Sequence, residues 1–176
     1  MIASAFGAFD KDYSVSDLKE EYFSKEKEID DLILYFNEIK PKDKSIAIEF
    51  KDDKTLSRLR INYKDSTRAI FQQWDIPVKN LLNPELSNHL IWNDEKIKRL
   101  KIKLDKADCI SIEDGEPIKI GFKRSGMGMY SFIVFQDKIT DRNNFNDSCQ
   151  YILVSRKLVL EYGGGAIGPQ CFQNFE

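Results

Sequence analysis

The stretch IDDLILYFNEIKPKDKSIAIEF, residues 29–50, carries the change of period on which the reading of the fold turns. Up to Ile39 the apolar residues Ile29, Leu32, Ile33, Phe36 and Ile39 recur at three- and four-residue steps, so a helix in this register shows one apolar stripe to a core. Lys40-Pro41-Lys42-Asp43 ends it, because a residue before proline is pushed out of the helical region. From Ile46 the step becomes two: Ile46, Ile48 and Phe50 alternate with Ala47 and Glu49, which reads as a strand with one polar face. A helix stripe followed at once by a two-residue alternation implies an α+β fold.

Working toward the N-terminus, Ser14 and Asp17 have capping-box spacing, and Tyr13 and Leu18 stand where a hydrophobic staple closes over a first turn. A helix is therefore expected from about Val15. Its stripe loses a turn between Phe23 and Ile29, so Ser24 is expected to divide it in two. Working toward the C-terminus, Leu59, Ile61 and Tyr63 supply the partner strand of a hairpin after Asp52-Asp53-Lys54. Residues 66–92 give a poor signal, with short helical turns at Val78–Leu82 and Leu86–Leu90 around Pro84. Asn93 then caps a mid-chain helix with Ile97, Leu100 and Leu104 on one face, ending near Ala107.

The remainder reads as β-structure. Cys109 to Ile112 and Ile118 to Phe122 flank a turn at Glu113 to Pro117 and predict a second hairpin. Ser125-Gly126-Met127-Gly128 is the next turn, Tyr130 to Phe135 the next strand, and Tyr151 to Val154 and Leu158 to Tyr162 close the set. Eight of the nine glycines lie at or after Gly115, which agrees with tight turns in the second half and helices mainly in the first. The expectation is one α+β domain over residues 1–176, with an N-terminal helix or helix pair, a mid-chain helix and a largely antiparallel sheet dominated by the C-terminal half.

Composition removes several classes of function. With 27 basic and 29 acidic residues interspersed, the net charge is −2, which argues against affinity built on phosphate neutralisation and hence against a nucleic-acid partner. The run from Lys96 to Lys103 keeps its apolar residues at helical spacing, so its charges read as one solvated face. The longest apolar run, Leu32 to Phe36, falls far short of the roughly 20 residues that span a bilayer. The first nine residues lack the basic flank of a secretory signal. As written, the chain is expected in the cytoplasm; a periplasmic or envelope location follows if a signal peptide has been removed.

Cys109, Cys149 and Cys171 are odd in number and widely spaced, which argues against zinc-ribbon and thioredoxin-type pairs. In an exported protein Cys149 with Cys171 is the first expected disulfide, since strands flank both. The single histidine, His89, reads as an incidental surface or capping residue rather than a general base. No G-x-S-x-G elbow and no phosphate-binding P-loop appear. The acidic pairs Glu20-Glu21, Asp30-Asp31, Asp52-Asp53 and Glu113-Asp114 are adjacent residues, which point apart on either a helix or a strand. The oxygen-rich run Asp141 to Asp147 lacks the central glycine and closing glutamate of a calcium loop. No metal and no cofactor are expected.

Two glycine segments stand out, residues 123–130 and 162–170. Gly163, Gly165 and Gly168 spell G-x-G-x-x-G after a strand, but Pro169 stops the helix that a dinucleotide site needs. Glycine serves turns and close backbone approach at such places. As a functional reading, the loops present backbone N–H groups beside Arg124 and Lys123 to an anion or an acidic partner. Met127, Met129 and Tyr130, expected to be exposed, also suit a protein interface.

With KRSGMGMYSF at residues 123–132 and LEYGGGAIGPQCF at residues 160–172, the stretch from Cys109 to Phe172 resembles a group of small bacterial proteins of the Bacteroidetes type. In size and mild acidity these are similar to immunity proteins that neutralise polymorphic toxins. The resemblance implies a non-enzymatic protein binder whose partner is a toxin. The partner-binding residues expected are Asp52, Asp53, Glu113 and Asp114, whose charges would complement a basic nuclease surface, with Arg124, Met127, Met129 and Tyr130. The competing expectation is a small enzyme or ligand-binding module built on the loops 124–130 and 162–170, with Arg124, Ser125 and Cys109 or Cys171.

Overall fold

The structure, a computed structural model, describes residues 12–64, 66, 68–126, 128–137, 143–163, 168 and 170–172. They form an α+β fold in which the register-assigned strand pairs are antiparallel. The chain packs as two compact units, one of residues 25–115 and one of residues 1–24 with 116–176.

In the first unit, α2 (Glu26–Ile39) precedes β1 (Lys44–Phe50), β2 (Thr55–Tyr63) and β3 (Ala69–Pro77). A 3-10 turn at Val78–Leu82 leads to α3 (Pro84–Leu90), α4 (Asp94–Lys106) and β4 (Ser111–Glu113). The strand order is β3-β2-β1-β4. Ile48 lies between Leu59 on one side and Ile112 on the other, and Ile46 opposes Ile61. This apolar row, the α2 stripe Ile29, Leu32, Phe36 and the α4 stripe Ile97, Leu100, Leu104 are all buried and make the core. Each such side chain contributes about 1.5–3 kcal/mol by leaving water.

The helix ends are where sequence chemistry placed them. Asn93 Oδ1 accepts from the Lys96 N–H at 2.9 Å and caps α4. Trp92, buried just before it, donates its indole N–H to the Ile39 carbonyl at 2.9 Å, tying the end of α2 to the start of α4. Lys40, at the end of α2, is ion-paired to the nearly buried carboxylate of Asp114. The turns expected at Val78–Leu82 and Leu86–Leu90 are present, whereas β3 lay hidden in the segment of poor signal. Its Phe71 and Ile76 match the core residues Ile61 and Leu56 across the ladder, but an out-of-phase kink at Asp75 (φ 51°) spoils the alternation between them. Ser111–Glu113 is shorter than expected and takes its pairing from β1.

The second unit holds α1 (Val15–Ser24), β5 (Ile118–Ser125), β6 (Gly128–Val134), β7 (Tyr151–Leu153) and β8 (Leu158–Gly163) in the order β5-β6-β8-β7. The capping box forms as its spacing predicts: the Ser14 N–H donates to Asp17 Oδ2 at 2.9 Å and the Asp17 N–H to Ser14 Oγ at 3.1 Å. Ser24 donates its hydroxyl to the Glu21 carbonyl at 2.9 Å, a side-chain competition for helix backbone that fits the end of α1 there. Tyr13 sets its ring edgewise on Phe122 and Tyr130, at 5.1 and 5.6 Å, while Tyr22 does the same on Phe132 at 5.2 Å. On the opposite sheet face Ile133, Phe135 and Val159 pack with Phe145, Tyr151 and Leu153.

Between β5 and β6, Gly126 adopts φ 56°, which favours glycine, and Gly128 lets the Tyr162 ring approach to 3.2 Å from where a Cβ would stand. A disulfide joins Cys149 to Cys171, with Cα atoms 4.1 Å apart, so the pairing expected for an exported protein is the one present. Cys109 is buried and takes no part in the disulfide. The bridge closes a loop of 22 residues, for which chain entropy gives about 3 kcal/mol. Replacing both cysteines by serine should lower the melting temperature by about 6–12 °C in scanning calorimetry. A dithiol reductant should reproduce that shift in the wild type and leave the variant unmoved.

Candidate functional site

Of the acidic residues expected to meet a partner, three are engaged within the unit 25–115. Asp52 Oδ1 accepts the Lys54 backbone N–H at 2.7 Å, and this bond, above all, holds its carboxyl below the usual range. Asp53 pairs with Lys101 at 3.1 Å. Lys101 also pairs with Asp105 at 2.6 Å; burial works against its charge, but the two carboxylates prevail and its pKa is raised. Asp114 is spent on Lys40. Glu113 is exposed on the sheet, and Asp52 and Asp53 are exposed in the turn after β1. The Asp114 N–H bonds the Ile46 carbonyl at 2.8 Å, while Asp52 stands beyond Phe50. From Ile46 to Phe50 four steps of strand, about 13 Å, set the two pairs at opposite ends of β1.

In the other unit the expected contact loop also changes character. Tyr130 is 2% exposed and not a surface residue: its ring stacks on Tyr162 at 4.2 Å and lies 6.0 Å from Phe172. The Tyr13 N–H donates to its hydroxyl at 3.3 Å, and Ser125 accepts from the Tyr162 hydroxyl at 3.4 Å while donating to Asp12 at 3.0 Å. Met129 is half-buried and Arg124 exposed; Met127 lies outside the described residues, as do residues 164–167 and 169 of the second glycine segment. The strand residues Ser131 and Glu161 form a buried polar row. Glu161 pairs with Lys119 at 2.6 Å and accepts from Gln150 at 3.3 Å. The charges of Glu161 and Lys119 cancel, while the Ser131 hydroxyl has no hydrogen-bond partner among the described residues.

The residues named for catalysis fare similarly. His89 stands in the last turn of α3. Cys109 donates its thiol to the Ala107 carbonyl at 3.2 Å, and Cys149 and Cys171 are bonded to each other. Asp147 Oδ1 accepts the Cys149 and Tyr151 N–H groups and Asn146 Oδ1 that of Leu153, so these oxygens order the entry to β7. Among the described residues no cluster of histidine, cysteine and carboxylate has metal-binding geometry.

A different surface emerges on the outer face of β1, β2, β3 and β4. Registers place Trp74, Arg58, Glu49 and Ser111 in one row and Gln72, Arg60, Ala47 and Glu113 in the next. Trp74 is 60% exposed, whereas Glu49 beneath the row is 6% exposed. Arg58 faces Glu49 across the ladder, yet its Nε has no hydrogen-bond partner among the described residues. Arg60 is braced by Asn62, its Nε donating at 3.1 Å. Ala47 stands between Arg60 and Glu113. An aromatic anchor beside two arginines, with carboxylates interleaved, is the chemistry of a protein interface. The signal in the sequence was Trp74 itself, a large aromatic between Gln73 and Asp75.

No family model, curated protein or solved structure matches the chain.

Two measurements separate structural from surface roles. Asp114→Ala should destabilise by about 3 kcal/mol in denaturant unfolding, by stranding Lys40, while Glu113→Ala should stay within about 0.5 kcal/mol. Burial pushes the Tyr130 hydroxyl up to about 12 from 10.0. The neutral phenol is thereby favoured in the folded state, so its contribution is whole below pH 10 and is lost as pH rises from 10 toward 12. Alkaline unfolding followed by tyrosinate absorbance should show that loss, and Tyr130→Phe should flatten it.

Proposed function

We propose that this chain is a non-enzymatic protein-binding protein, in concrete terms a bacterial immunity protein that neutralises a cognate toxin by docking the outer face of β1–β3 on it. The observation that carries the reading is Trp74, 60% exposed on that face beside Arg58 and Arg60. A tryptophan this exposed is costly to leave in water, and covering it is worth about 2–4 kcal/mol. Tryptophan and arginine are also the side chains on which binding energy concentrates. Arg58 and Arg60 with the exposed Glu113 would set the orientation of a partner bearing the complementary pattern.

The Cys149–Cys171 disulfide supports an oxidising compartment, periplasmic or outside the cell, as the place where the partner is met, in preference to the cytoplasm. No helix among the described residues is long and apolar enough to cross a membrane.

The test is capture of the tagged chain from the cells that encode it, followed by thermal shift of the purified pair. A stoichiometric protein partner should raise the melting temperature by linkage. Trp74→Ala should weaken that complex about 30-fold, the mark of a hot spot, without altering the stability of the free chain. Asp52→Ala with Asp53→Ala should leave affinity unchanged. Recovery of the chain alone, or a Trp74→Ala variant that binds as tightly as wild type, would overturn the reading.

A further inference from the structure

β3 is the outermost described strand of its sheet, so the side of its backbone away from β2 presents N–H and C=O groups that no described strand pairs. Between Arg68 and Asp75 this edge reads Ala69-Ile70-Phe71-Gln72-Gln73-Trp74, without a charge or a proline, in a chain that is 32% charged. Strand edges left open to water are ordinarily guarded by lysine, proline or a bulge. Here the guards stand at the two ends, in the irregularity at Ile70, where the ladder with β2 skips a residue, and in the positive φ of Asp75 and Pro77, which leaves Phe71 to Trp74 unguarded between them. Gln72, Gln73 and Trp74 are all exposed, and Ile70 and Phe71 are half-buried. An uncharged run of β-forming residues on an open edge is a surface made for another strand.

We infer that this edge is the interface of a symmetric dimer, in which β3 of a second copy adds antiparallel to β3 and joins the two sheets. The end charges select this occupant and its direction. Antiparallel addition brings Arg68 of each copy to the Asp75 end of the other, whereas parallel addition would set Arg68 on Arg68. Asp75 is free to respond, since its pair with Lys51 is 3.6 Å long and exposed on both sides. With the two-fold axis at Gln72, Ile70 of each copy faces Trp74 of the other, Phe71 faces Gln73, and Gln72 faces itself. The same patch serves both partners, as a two-fold interface requires. Because the backbone edge is used, Arg58 and Arg60 are left to the face they share, and the inference goes beyond the partner-binding reading above.

Sedimentation velocity on the full chain from about 1 to about 200 μM tests it. The wild type should pass from the mass of one chain to that of two. Gln72→Lys sets two ammonium groups directly against each other at the axis and should weaken the dimer at least about tenfold. Gln73→Pro, a change tolerated on an edge strand, should weaken it too. Leu34→Lys, on the exposed side of α2, should not. Circular dichroism confirms that each variant is folded; Gln72 is exposed, so its change leaves the core intact. A wild type that remains a single chain throughout, or a dimer indifferent to Gln72→Lys, would overturn the inference.

Discussion

The register that puts Ile48 between Leu59 and Ile112 constrains everything else on this sheet. Side chains alternate with a period of two, so the demand that one face be apolar leaves no freedom on the other. Once Ile48 is committed to the core, Glu49 must stand beside Arg58 and Ser111, and Ala47 between Arg60 and Glu113. A slip of one residue would turn the arginines into the core and the isoleucines out of it. The polar pattern of the outer face is therefore held in place by hydrophobic burial on the inner one. A binding surface of this kind needs no loop to position it.

The same rule explains what was legible in the sequence. The helix stripe before Ile39, the alternation at Ile46 to Phe50 and Leu59 to Tyr63, the Ser14–Asp17 capping box and the Asn93 cap each rest on local chemistry, and each is present. β3 was not legible, because its kink at Asp75 breaks the period that would have marked it. Ser111–Glu113 is too short to carry an alternation at all, and its place is set by β1, more than sixty residues earlier in the chain. The Cys149–Cys171 pairing was reachable only as a choice among three cysteines.

The candidate contact residues stand apart in the fold for a related reason. Composition identifies Asp52, Asp53 and Asp114 as charges available to a partner, but it does not say what lies opposite them. Lys54, Lys101 and Lys40 do, and of the three carboxylates only that of Asp114 is buried by its contact. Tyr130 shows the complementary failure. Beside glycine it reads as a loop aromatic, yet strand pairing turns its ring onto Tyr162 and inward. What a sequence lists as free chemistry is often already consumed across a distance that only the fold reveals.

The chain has two tryptophans, and the fold has divided them cleanly between interior and surface. Trp92 is closed off from water with its indole N–H on the Ile39 carbonyl, and Trp74 stands out on the face of β3. The molecule therefore carries two intrinsic fluorophores in opposite environments. An aqueous quencher will reach one and not the other, and emission from the two will differ in wavelength. Events at the surface of the sheet and the integrity of the core beneath it can thus be watched separately in the unlabelled protein.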